Sequence, residues 1–151
     1  MKNFMKLLNL WLHQLSIKKD DEECKIYFLP WVTINPDKEF RIFVCKNEIT
    51  AISQKHIFTV NKWLQKKTEK EIQGVVCKIL IDFEQNIKEK LKFLEDYVMD
   101  LALIGQEEIS YFIEPNSFGK NYAAGSALFH WIDDEVILLK NDTVEIRFVC
   151  E

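Results

Sequence analysis

Two periodicities organise this chain. From Glu39 to Gln54 polar and apolar positions alternate in twos: Phe40, Ile42 and Val44 fall on one side, and Arg41, Phe43 and Cys45 on the other. A second such run, EITAISQ, follows Lys46-Asn47, and Asn accepts the positive φ of a tight turn, so the stretch predicts a β-hairpin. From Thr68 the period changes to three and four. Thr68 and Glu71 form a T-x-x-E capping box, and Ile72, Val75, Val76, Ile79, Leu80, Phe83 and Ile87 follow, predicting a helix from Glu69 to about Asn86. Gly74 inside it costs about 1 kcal/mol relative to Ala, which close packing on a sheet would explain. IKEKLKFLED extends this helix or forms a second short one.

YVMDLALI and ISYFIE make a second hairpin turning at Gly105-Gln106. EVILL and TVEIRFV read as two late strands joined at Lys140-Asn141-Asp142. Near the start, Phe4, Leu7, Leu8, Trp11, Leu12 and Leu15 stripe a helix from Asn3 to Ser16, and the charged run KKDDEE follows. The chain therefore divides into an amphipathic helix with charged linker over 1–19 and a lobe over 25–151. The expected class of the lobe is α+β, an antiparallel sheet with helices packed on one face.

Composition narrows this little. The 151 residues suit one domain, 48% are hydrophobic, and four Gly and three Pro exclude a disordered or collagen-like chain. A net charge of −4 argues against nucleic acid as a partner. Cys24, Cys45, Cys77 and Cys150 form no C-x-x-C pair, and His13, His56 and His130 stand at no zinc spacing, so the thiols read as reduced. No apolar run reaches the ~18 residues of a membrane span, so a cytoplasmic, unprocessed chain is expected.

Candidate chemistry gathers on the second hairpin. Glu114 and Asn116 share a strand face, and Asp100 lies on the strand before them. Pairing Ile104 with Glu108 would set Asp100 opposite Phe112, one diagonal from Glu114; a two-residue shift would set Asp100 directly opposite Glu114. Either register brings two carboxylates and an amide oxygen together. Paired carboxylates repel, a divalent cation relieves the repulsion, and Mg²⁺ takes hard oxygen donors together with phosphate oxygens. An ordinary strand edge and turn is the plainer reading. Arg41, alone on an otherwise apolar face, needs a partner.

Several blocks resemble one family. WVTINPDKEFRIFVCKNEITAISQ is similar to the central motif of the cell division cycle protein 123 family, W-x-x-x-N-P, then E-F-R-x-F-V and a strand ending I-S-Q. YVMDLALI…ISYFIEPNSFG…SALFHW resembles its Y-V-x-D, I-D-x-N-P-F-G and S-x-L-F-x-W, and VEIRFVCE its closing E-F-R-V-V-E. The blocks run in order from about Tyr27 to Glu151. Glu114 replaces the family Asp, Ser117 its Pro, and FLPW lacks an Arg that precedes the family tryptophan.

The resemblance implies an ATP-grasp-like fold, of which this chain supplies the C-terminal lobe, with ATP and Mg²⁺ as cofactors. It implies that Asp100, Glu114 and Asn116 match the metal ligands, that Arg41 faces the phosphates, and that Trp31 lies beside the adenine. The first lobe and its phosphate-gripping lysine have no counterpart; Lys18, Lys19 and Lys25 do not fill that role. Members assist assembly of translation initiation factor 2, so its gamma subunit is the implied partner. The alternatives are a nucleotide-free interaction module and an ATP-dependent carboxylate–amine ligase completed by a partner chain.

Overall fold

A computed structural model describes residues 30–122, 124–140 and 142–151. The expected helix from Asn3 to Ser16 lies outside the described residues. The chain divides into two compact units, Met1–Val32 and Thr33–Glu151; the second carries the sheet.

Five strands form that sheet: β1 (Glu39–Cys45), β2 (Glu48–Gln54), β3 (Tyr97–Ile104), β4 (Ile109–Ser117) and β5 (Glu145–Arg147), in the order β4-β3-β1-β2-β5. The first hairpin turns where its sequence predicts, with Lys46 at φ 52° and Asn47 at φ 60°. Both positive φ values match the right-handed strand twist. The second turn is longer, with positive φ at Gly105 and Glu108. The fold is α+β. One strand departs from the expected antiparallel pattern: β5 runs parallel to β2.

Helix α1 (Glu69–Asp82) begins at the expected capping box; the Glu71 N–H donates to Thr68 Oγ1 at 3.3 Å, and the Thr68 N–H to Glu71 Oε2 at 2.7 Å. It continues through a π turn, Phe83–Ile87, and a 3-10 turn, Lys88–Leu91. Val75, Ile79, Phe83 and Ile87 pack on Phe40, Ile42, Val44, Met99, Leu101 and Leu103. Gly74 has open space where a Cβ would stand, so close packing does not account for it.

EVILL is not a strand. Residues Glu135–Leu139 form a short helix, α2, which buries Leu138 and leaves Val136 exposed. It covers the sheet face opposite α1, where Leu138 and Phe129 pack on Phe43, Ala51 and Val98. Both faces therefore carry structure, rather than one. A β-bulge near Thr50 allows this. Phe43 pairs with Ala51 and Val44 with Ile49, which leaves Thr50 extra. Its buried hydroxyl donates to the Leu138 carbonyl at 2.9 Å.

Candidate functional site

The register carries one line of residues across all five strands. Glu114 pairs with Asp100, Asp100 with Arg41, Arg41 with Ser53, and Ser53 with Arg147. Cross-strand partners share a face, so these five side chains form a polar row. The neighbouring row, Asn116, Val98, Phe43, Ala51 and Glu145, has an apolar centre. That centre lies beneath Phe129 and Leu138, and Trp131 meets Phe43 edge-on at 5.5 Å.

Neither register considered for the second hairpin holds along its length. Ile104 pairs with Ile109 and Leu101 with Phe112; a bulge then omits Ile113 and brings Asp100 opposite Glu114. The bulge rescues a pairing that the turn alone would miss by one residue.

Asp100 is 1% exposed, and three donors meet it. Arg41 Nε reaches Oδ1 and Arg41 Nη2 reaches Oδ2, each at 2.9 Å, and Lys55 Nζ donates to Oδ2. Burial works to raise the Asp100 pKa, but the hydrogen bonds from Arg41 and Lys55 outweigh it and hold the carboxyl below its ordinary value. Arg41 is pinned further, since its Nη1 donates to the Gly125 carbonyl at 2.6 Å. The partner that Arg41 needs is Asp100.

Glu114 and Asn116 lie at the open end. Glu114 is exposed, pairs with no cation among the described residues, and accepts a hydrogen bond from Asn116 Nδ2 at 3.3 Å. Trp31 belongs to the other unit and is 93% exposed. The structure thus brings Arg41, Asp100, Glu114 and Asn116 onto one face and leaves Trp31 outside that description.

The segment from Ala124 to Phe129 crosses the row. Arg41 holds its Gly125 carbonyl, and Ser53 Oγ accepts from the Leu128 N–H at 3.1 Å. Arg147 Nη1 donates to the Leu128 carbonyl at 3.2 Å. Arg147 also clasps Asp134 through two bonds of 2.8 Å and stacks on Phe129 at 4.2 Å. Lys55, Ser53 and Arg147 were not among the residues singled out from sequence. Strand parity offered a signal for two of them, because Ser53 and Lys55 lie on the Arg41 face of the first hairpin.

These donors suit a particular cation chemistry. Carboxylate and amide oxygens are what Mg²⁺ prefers. Yet Arg41 and Lys55 bring two positive charges against the two negative charges of Asp100 and Glu114, so a bare dication gains little here. A cation arriving with its own polyphosphate would differ: the phosphates would supply a second anionic partner for Lys55, and the carboxylates would be left to the metal. For a metal–nucleotide, Asp100, Glu114 and Asn116 would be the residues to hold the metal.

The D123 family model matches residues 6–151, nearly the whole chain. The chain belongs to the D123 family. A Dictyostelium discoideum protein named translation initiation factor eIF2 assembly protein is 38% identical over 76 residues, covering 47% of this chain and 20% of that protein. Cdc123 from Schizosaccharomyces pombe shares the fold at a TM-score of 0.56 and 20% identity, over 80% of this chain and 44% of that one. Its C-terminally truncated form gives 0.55 and 23% identity, over 80% and 43%. This D123 chain therefore spans 20% of the curated relative's length and 44% of the solved chain's.

Proposed function

We propose that this chain binds a magnesium–nucleotide, ATP in the first instance, on its polar row, and that it takes part in assembling translation initiation factor 2. The observation that carries the nucleotide reading is Asp100, buried yet met by both Arg41 and Lys55, with the exposed Glu114 opposite it. A charge-balanced cluster with one free carboxylate at its open end is suited to exchanging internal ion pairs for phosphate and metal. The sheet would be the C-terminal lobe of an ATP-grasp-like pair. The partner half rests on the Dictyostelium discoideum relative that is named an eIF2 assembly protein. The gamma subunit is the partner put forward.

A second reading has its own observation. Asp100, Arg41 and the Gly125 carbonyl already satisfy one another, so the fold stands without nucleotide and could serve as an interaction module alone. Two measurements separate the readings. Calorimetric titration with ATP, with and without Mg²⁺, is expected to give binding only with the metal. Capture of initiation factor 2 from a eukaryotic lysate, with and without Mg-ATP, is expected to improve with nucleotide. Capture without any nucleotide binding selects the module, and capture of no initiation factor under either condition refutes the partner.

A further inference from the structure

Arg41 and Lys55 both hold Asp100, but they are not equivalent. Arg41 is 9% exposed and fixed at three points: twice on Asp100 and once on the Gly125 carbonyl. It cannot turn toward a ligand without leaving the Gly125 carbonyl without its donor and the buried Asp100 with Lys55 alone. Lys55 stands one residue past the end of β2, its side chain 27% exposed, and Asp100 is its one ion-pair partner among the described residues. Its ammonium sits on a flexible four-carbon stem, so it can swing into water at little cost. Of the two cations, only Lys55 is built to leave.

The carboxylate it leaves is crowded. Oδ1 accepts one hydrogen bond and Oδ2 accepts two, one of them from Lys55. A carboxylate has about four acceptor positions. Releasing Lys55 opens a position on Oδ2 and removes a positive charge from the place a dication would occupy.

We propose that Lys55 is a removable lock on Asp100. It keeps bare divalent cations out, and it moves from Asp100 to the phosphates when a metal–nucleotide arrives. Arg41 is then a positioning residue that aims the Asp100 carboxylate and stays in place throughout. Because one lysine serves both anions, metal and polyphosphate each bind better in the presence of the other. Such coupling is reciprocal: the factor by which nucleotide improves the metal equals the factor by which metal improves nucleotide. The inference rests on the nucleotide reading above, and it assigns that site its order and its selectivity.

The test is Lys55→Met, which keeps the apolar stem and removes the charge at a partly exposed position. Mn²⁺ alone is titrated first, followed by paramagnetic broadening or calorimetry, and then Mg-ATP is titrated. The lock predicts opposite changes in one variant: Mn²⁺ binds at least about tenfold tighter than to the parent, and Mg-ATP at least about tenfold weaker, as expected for one hydrogen bond between charged groups. Lys55→Arg, which retains the charge, should restore both toward the parent. A merely structural lysine would shift both affinities the same way or neither. If the parent binds Mg-ATP and Lys55→Met gains no Mn²⁺ affinity, the lock is overturned. If the parent fails to bind Mg-ATP while Lys55→Met gains Mn²⁺, the nucleotide reading falls and the lock on Asp100 stands.

Discussion

Removing Asp100 should damage the fold far more than removing its whole ion pair. In Asp100→Leu the Arg41 guanidinium, 9% exposed, keeps only the Gly125 carbonyl. Breaking a buried pair by deleting one partner costs about 3–5 kcal/mol, because the other charge stays behind in a poorly solvated place. Lys55 adds little to that cost, since its partly exposed side chain can turn to water. Arg41→Met is milder, about 1.5–3 kcal/mol, because Asp100 still has Lys55. In the double variant Arg41→Met/Asp100→Leu no orphaned charge remains and apolar groups of similar length fill the space. Its loss should be within about 1 kcal/mol of the parent, well below the sum of the singles. Urea unfolding followed by circular dichroism gives all four corners of this cycle. A single Asp100→Leu cost below about 1 kcal/mol, or a double variant equal to the sum, would refute the account of Asp100 as the buried hub.

Three further outcomes are expected. Gly74→Ala should stabilise the protein by about 0.5–1 kcal/mol, since α1 is retained and nothing lies within 4 Å of the added methyl; chemical denaturation reads it directly. Thr68→Ala should cost about 1 kcal/mol by the same measurement, through loss of the hydroxyl that caps the Glu71 N–H. Burial, with Asp96 adding to it, holds the Cys45 thiol up at about 11 against an ordinary 9.0. The unfolded chain therefore ionises first, so this contribution is complete below pH 9.0 and is lost as pH rises toward about 11. Melting temperatures across that window should fall more steeply for the parent than for Cys45→Ala.

What the sequence discloses here follows the range of the interaction. The Lys46-Asn47 turn and the Thr68-Glu71 box are local, set by φ preference and by groups three residues apart, and both appear where the pattern puts them. The division of β1 into Phe40, Ile42 and Val44 on one face and Arg41 and Phe43 on the other is a period of two, also local. EVILL misleads because four apolar residues after Glu135 lack the length to separate helix from strand. The polar row is the non-local part. It depends on β1 pairing with β3, on β5 pairing with β2, and on bulges at Thr50 and Ile113 that shift whole strands by one residue. No pattern within a single strand records those shifts. Lys55 escapes for a simpler reason: it lies just past the strand end, and strand parity carries it onto the Arg41 face only when followed one step beyond Gln54.

Because Asp100 also holds the fold together, Glu114 is the better probe of the site. It is exposed, and among the described residues no cation depends on it. The most direct measurement is calorimetric titration of ATP into the parent and Glu114→Gln, with and without Mg²⁺, beside a thermal melt of each. The account predicts metal-dependent binding by the parent, at least about tenfold weaker binding by Glu114→Gln, and unchanged melting. Equal affinity in the two proteins, or binding by the parent that ignores Mg²⁺, would contradict it.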